Sequence, residues 1–197
     1  MQYSLLLLPA AYIVGSINFS IILFKILGKS DPRNSFSGNP GTTNVYRQTG
    51  IVWAIAVLSL DMGRAIAVYF LAIRILHENY VTWAGLFLII GNRFPCFHGF
   101  RGGKGVANYL GFTAFLSPYS AGFSCAAWVM TYGLIKKPFI ASFAMISVLA
   151  AGTVLKTPQN LFAISGTIVT YLLIIMNHYG NILDLARNKI QSEKNNG

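Results

Sequence analysis

Charged side chains are scarce in this sequence. They make up 10% of the 197 residues, against about 25% in an average soluble domain. Hydrophobic residues make up 54%, and the mean hydropathy is +0.56. The first 24 residues carry no charge. This composition excludes an ordinary soluble globule and predicts an all-α polytopic membrane protein.

Cysteine is almost absent as well. Cys96 and Cys125 are the two cysteines, so the sequence offers no disulfide framework and no Cys/His spacing typical of a metal site. It also lacks internal repeats and low-complexity segments. We therefore expect a single transmembrane domain over residues 1–197 without a metal. The first segment lacks a basic start and is long enough to span, which favours a membrane span over a cleaved signal peptide.

Hydrophobic runs predict seven helices, near 3–27, 51–76, 80–93, 105–116, 119–135, 138–155 and 160–178. Twelve of the fifteen basic residues lie in or beside the segments on one predicted side, and the exceptions are Arg64, Arg74 and Lys156. Because cytoplasmic loops collect Lys and Arg, we predict an outside N-terminus and a cytoplasmic C-terminus. The same rule explains much of the net charge of +10 without a nucleic-acid partner.

Two of the predicted helices are short for a membrane span. Residues 80–93 and 105–116 would extend about 21 and 18 Å, whereas a span needs about 20 residues. The intervening loop is therefore predicted to dip below the membrane surface, where irregular backbone must be buried in protein or line a wet cavity. A single bent helix over 105–135 would instead put the C-terminus on the other side.

The stretch "GFRGGKG", residues 99–105, predicts an anion site. It is not a nucleotide P-loop, because His98 stands at the first glycine position and Gly105 follows the lysine. Gly102, Gly103 and Gly105 would let backbone N–H groups approach an anion at the start of a helix, and Lys104 adds a positive charge. The alternative is a basic, flexible turn.

Two further segments on the same predicted side carry groups that bind phosphate. In "SFSGNPGTTNVYRQTG", residues 35–50, the candidates are Ser37, Gly38, Asn39, Gly41, Thr43, Asn44 and Arg47. Arg47 could hold a phosphate with two parallel bonds. In "NHYGNILDLARNK", residues 177–189, His178 and Asn181 share a face if the helix continues. For residues 35–50 the alternative is an ordinary polar turn. For His178 the alternative is an interfacial residue without a role in the site.

Asp61 and Arg64 lie inside a predicted span. Charges within a membrane are costly and are usually paired or functional. We predict a structural ion pair that faces the bundle interior, with a direct role in the site as the alternative.

Three segments together resemble the cytoplasmic motifs of the bacterial acyl-phosphate-dependent glycerol-3-phosphate acyltransferases. They are residues 15–50, "GNRFPCFHGFRGGKGVAN" and "NHYGNI". The resemblance runs over nearly the whole chain, in order, and implies a small seven-span enzyme of the inner membrane. Such enzymes move a fatty acyl group from acyl phosphate to the 1-hydroxyl of glycerol 3-phosphate, without a cofactor.

The resemblance also implies roles for residues. Ser37, Arg47, Lys104, His178 and Asn181 would bind the two substrates, and the glycine-rich stretches 38–41 and 102–105 would cradle phosphate. The expected partners are the two substrates and membrane lipid, with no obligate protein partner. The sequence departs from the family pattern at Phe36, Asn92, Ala65, Asn177, Tyr179 and Ile190.

Other classes of protein remain open at this point. A divergent paralogue with altered activity would fit the changed third segment. An organic-phosphate transporter would normally show an internal repeat and more polar spans. A protein that only binds anionic lipid would need basic clusters but not Ser37, Asn44 and Asn181.

Overall fold

The computed structural model describes the backbone of residues 3–195 and the side chains of residues 4–187. Over this backbone the chain is helical or irregular and contains no strand, so the all-α prediction is confirmed. Ile190, one of the departures from the family pattern, lies outside the described side chains. The helices are α1 (Leu7–Gly15), α2 (Phe19–Ile26), α3 (Thr42–Thr49), α4 (Ile51–Ile75), α5 (Glu78–Arg93), α6 (Val106–Thr113), α7 (Pro118–Ile135), α8 (Pro138–Lys156), α9 (Leu161–Met176) and α10 (Tyr179–Asn195).

The first predicted helix, over 3–27, is interrupted. It ends as α1 at Gly15 and resumes as α2 after Asn18, whose side-chain oxygen accepts a hydrogen bond from the Ile21 amide at 3.0 Å. The segment 28–50, predicted to be a loop, contains α3. Only Gly50, with φ of +88°, separates α3 from α4. That conformation favours glycine and ends α3 before α4 begins.

Three stretches of the described chain are long and apolar enough to cross a membrane: Ser4–Ile26, α4 and α8. A fourth is obtained when α9 and Tyr179–Arg187, which meet at a bend of 43°, are taken together. The count of seven crossings therefore remains a prediction. Helices α6 and α7 are separate, because the backbone leaves the helical conformation at Ser117 and α7 begins at Pro118.

The α1 and α5 backbones pack in direct contact at two glycines. A Cβ on Gly15 would lie 2.1 Å from the carbonyl oxygen of Leu88, and a Cβ on Gly91 would lie 2.1 Å from that of Tyr12. Small residues permit this approach, which is a usual way for helices to associate in membranes. The contact fixes the end of α5, from which the 94–105 loop departs.

Arg64 lies at the centre of the bundle and joins four helices. It forms the ion pair with Asp61, at 2.8 Å, and donates to the side-chain oxygens of Asn92 and Asn108 at 3.3 and 2.8 Å. It also donates to the carbonyls of Val14, Gly15 and Ile17, where the chain breaks between α1 and α2. The buried charge is thus fully surrounded by acceptors.

We expect Gly91→Ala to lower the apparent unfolding temperature in detergent by several degrees. The added methyl must push the α1 and α5 backbones apart, and overpacking of this kind costs about 1–3 kcal/mol. Gly63→Ala is the matched control, because a Cβ there meets no atom within 4 Å. Equal unfolding temperatures for the two variants would contradict the backbone contact.

Candidate functional site

A cavity of about 660 Å³ brings the three predicted polar segments together. Asp61 also lines it, whereas Gly38, Arg64 and Gly102 do not. The predicted binding residues on its wall are Ser37, Asn39, Gly41, Thr43, Asn44, Arg47, Gly103, Lys104, Gly105, His178 and Asn181.

The first polar segment reaches the cavity through the N-terminus of α3. Asn44 is buried and donates to the carbonyls of Pro32 and Ser35, at 2.8 and 3.2 Å. Its side-chain amide group therefore folds the loop, while Ser37 and Arg47 are exposed toward solvent and cavity. Phe36 has a φ of +53°, the conformation that glycine adopts most easily.

The glycine-rich segment uses its amides differently from the prediction. The Gly102 and Gly103 amides donate to the carbonyls of Arg93 and Asn92, at 3.0 and 2.9 Å. They hold the loop against the end of α5, and a Cβ on Gly102 would lie 2.0 Å from the Asn92 carbonyl oxygen. These two glycines therefore serve close packing. The part that lines the cavity is Gly103–Val106, where α6 begins and its N-terminus favours an anion.

Arg33 fastens this loop from the other side, and the sequence reasoning missed it. Its Nη1 donates to the carbonyls of His98 and Arg101 at 2.7 and 2.9 Å. Its Nε and Nη2 bind the Asp31 carboxylate, at 2.6 to 3.1 Å. One guanidinium thus joins the residues just before the first polar segment to the glycine-rich loop, through three of its nitrogen atoms.

Lys104 connects the second segment to the third. Its ammonium donates to the side-chain oxygen of Asn181, and its carbonyl accepts from the Asn177 side chain at 3.2 Å. Burial lowers the pKa of Lys104 to about 8, helped by the positive charges of Arg93 and Arg47 and opposed by Asp184. Lys104 therefore gains more from a bound anion than a fully solvated lysine does.

His178 is buried at the junction of α9 and α10. Its Nδ1 lies 2.9 Å from the carbonyl oxygen of Ile174. A carbonyl only accepts hydrogen bonds, so Nδ1 carries the proton and Nε2 is the free nitrogen of the neutral ring. The ring also packs edge-on against Phe143, with centroids 5.2 Å apart. His178 and Asn181 both line the cavity.

The cavity has a second, apolar wall that the motifs did not indicate. Its residues come from four helices: Leu58, Leu110, Cys125, Trp128, Val129, Phe139 and Met145. Polar residues that the sequence reasoning gave no site role also line the cavity: Thr42, Asn92, Asn108, Lys136, Lys137, Ser142 and Asp184. Among the described side chains, no group of three His, Cys, Asp or Glu residues could hold a metal ion. The cavity thus combines cationic and apolar residues on one wall, as an amphipathic anion requires.

Comparison with known proteins gives a consistent result. A family model described as glycerol-3-phosphate acyltransferase matches residues 5–188. A glycerol-3-phosphate acyltransferase of Pseudomonas fluorescens is 35% identical over 176 residues, which cover 89% of this chain and 92% of that protein. One from Pseudomonas aeruginosa is 34% identical, over 91% of this chain and 94% of that protein.

Two solved structures share the fold. Both are crystal structures of PlsY (YgiH), an integral membrane glycerol 3-phosphate acyltransferase. The glycerol 3-phosphate form superposes with a TM-score of 0.87 at 31% identity, over 94% of this chain and 93% of the other. The lysophosphatidic acid form gives 0.84 at 30% identity, with the same coverage.

We expect Arg33→Gln to speed hydrogen exchange at the backbone amides of residues 97–104. Glutamine cannot replace the two bonds to the loop carbonyls together with the bond to Asp31, so the loop should open more often. Arg74→Gln, at the far exposed end of α4, is the control and should leave these amides unchanged. Unaltered exchange in Arg33→Gln would show that the loop does not depend on this residue.

Proposed function

Because the chain belongs to the glycerol-3-phosphate acyltransferase family, we propose that it moves a fatty acyl group from acyl phosphate to the 1-hydroxyl of glycerol 3-phosphate. The products are lysophosphatidic acid and inorganic phosphate. The reaction is an early step of phospholipid synthesis. The observation that supports this reaction best is the amphipathic cavity, in which three phosphate-binding segments meet an apolar wall. One substrate is a small anion, and the other joins a phosphate to a long acyl chain.

The residues on the cavity wall can support this reaction by placement and charge. Arg47 and Lys104 neutralise substrate phosphate, and Ser37, Asn181 and the α6 N-terminus supply further polar contacts. The 1-hydroxyl oxygen attacks the acyl carbon, and the bond from that carbon to the phosphate oxygen breaks. Phosphate leaves and takes the hydroxyl proton. His178, whose Nε2 is free, is the alternative base.

The altered third motif is compatible with an intact site. Asn177 holds the Lys104 carbonyl, and so keeps the third segment attached to the glycine-rich loop. Tyr179 is exposed and begins α10 without entering the cavity wall. These two positions are therefore compatible with an active enzyme and do not favour a divergent paralogue with weak or altered activity.

We place the protein in the bacterial inner membrane as one multi-pass domain over residues 1–197. Seven crossings with an outside N-terminus and a cytoplasmic C-terminus put all three polar segments on the cytoplasmic side. Glycerol 3-phosphate is available on that side, and membrane lipid surrounds the helices that form the cavity. The reaction as written needs no cofactor, no nucleic acid and no protein partner.

The direct test supplies palmitoyl phosphate and glycerol 3-phosphate to the purified protein in detergent. We expect equal release of phosphate and lysophosphatidic acid, with no product from palmitoyl coenzyme A. Lys104→Ala should lower kcat/KM about 10- to 100-fold through loss of a charged hydrogen-bond donor. Folded wild-type protein that makes neither product would overturn the proposed function and point to the divergent paralogue.

We expect kcat/KM for glycerol 3-phosphate to fall as pH rises through about 8. The free enzyme binds the anion with a protonated Lys104, and the lowered pKa of this group means that the charge is lost near that pH. Lys104→Arg keeps the charge at all these values. Its profile should stay flat above pH 8 even if its activity is lower. A fall of the same size in both proteins would assign the pH dependence to another group.

A further inference from the structure

The turn between α7 and α8 places two lysines, Lys136 and Lys137, on the cavity wall. Both lie outside the three motif segments. We propose that they form a second anion subsite, which binds the phosphate of the acyl phosphate donor, while Arg47 and Lys104 bind glycerol 3-phosphate. This inference rests on the proposed function and assigns its two phosphates to different parts of the wall.

The charge on the wall supports two subsites. Phosphate esters carry about −1.5 to −2 at neutral pH, so two substrates bring about −3 to −4. Asp61 is neutralised by Arg64, and Asp184 acts electrostatically on Lys104. Without the two turn lysines, Arg47, Lys104 and Asp184 would leave the described wall with a net charge of only +1. Lys136 and Lys137 raise it to +3, close to what two phosphates require.

The α7–α8 hairpin also has the polarity of an acyl phosphate. Cys125, Trp128 and Val129 form one face of α7 toward the cavity. Lys136 ends the same helix eleven residues after Cys125, a rise of about 16 Å. A donor whose phosphate lies at the lysines can therefore lay its chain along this apolar face.

The backbone at Lys136 favours a role for its side chain. Its φ is +56°, a left-handed conformation in which helices usually end on glycine. A lysine that served only to orient the protein in the membrane could occupy any position of an exposed turn. Here a lysine occupies a position at which glycine would have less backbone strain. The Lys136 ammonium lies 5.9 Å from the Tyr132 ring centroid. Lys136 thus keeps a strained backbone conformation at a position on the cavity wall.

The decisive experiment measures KM for both substrates in a Lys136→Gly/Lys137→Gln double variant. Glycine suits the backbone at position 136, so the variant should fold with an unchanged unfolding temperature. We expect KM for palmitoyl phosphate to rise about fivefold or more and KM for glycerol 3-phosphate to change less than twofold. Lys136→Gly/Lys137→Arg should recover part of the loss, because one charge returns.

The matched control is Lys25→Gln/Lys29→Gln. These lysines are exposed and lie on the same predicted side, outside the cavity wall. The control variant should leave KM for palmitoyl phosphate unchanged. This result would distinguish a binding subsite from a general attraction between surface lysines and anionic micelles. A similar rise in the control, a larger rise in KM for glycerol 3-phosphate, or no rise at all would overturn the donor subsite while the acyltransferase activity stands. Wild-type protein inactive with palmitoyl phosphate would overturn the proposed function and the subsite together.

Discussion

The buried charge of Arg64 is the constraint on which the rest of this fold depends. A cation inside an apolar bundle must be surrounded by acceptors, and one carboxylate, that of Asp61, is not enough for a guanidinium with five N–H donors. The chain supplies the remaining acceptors by breaking its first apolar segment after Gly15. The break exposes the carbonyls of Gly15 and Ile17 to the guanidinium. The hydrogen bonds to Arg64 thereby stabilise the break between α1 and α2. Without Arg64, we would expect this apolar segment to form one continuous helix.

The same side chain sets the position of the glycine-rich loop. Arg64 binds the side chains of Asn92, near the end of α5, and Asn108, in the first turn of α6. The loop runs between these helices, and its Gly103 amide donates to the Asn92 carbonyl. Arg33 then holds the outer part of the loop through two further carbonyls. Hydrogen bonds therefore fix both ends of the glycine-rich loop and its outer turn. Lys104, which belongs to this loop, is held on the cavity wall as a result.

Sequence reasoning found the polar segments but not how they are held. Residue type and the family resemblance predicted that Lys104, Arg47 and Asn181 share one site, and the fold brings all three to the cavity wall, where their role in binding stays a prediction. Arg33 was missed because its partners are backbone carbonyls more than sixty residues away, which no local pattern reveals. The α1–α2 break and α3 were missed for related reasons: the first depends on Arg64, and α3 is a short polar helix without an apolar stripe. Gly102 was predicted to offer its backbone N–H group to an anion, but that group donates to Arg93, and a side chain there would collide with the Asn92 carbonyl.

The lengths of α5 and α6 explain how a soluble anion and a lipid can meet. At 1.5 Å per residue, the 16 residues of α5 extend about 24 Å and the 8 residues of α6 about 12 Å. A hydrocarbon core of about 30 Å exceeds both. In the proposed orientation we therefore expect the loop between them to lie below the cytoplasmic surface, where it shares the cavity wall with the apolar side chains of α7. An acyl chain can then stay in an apolar environment while its phosphate reaches the cationic residues of the cavity, so neither part of the donor has to enter an unfavourable medium.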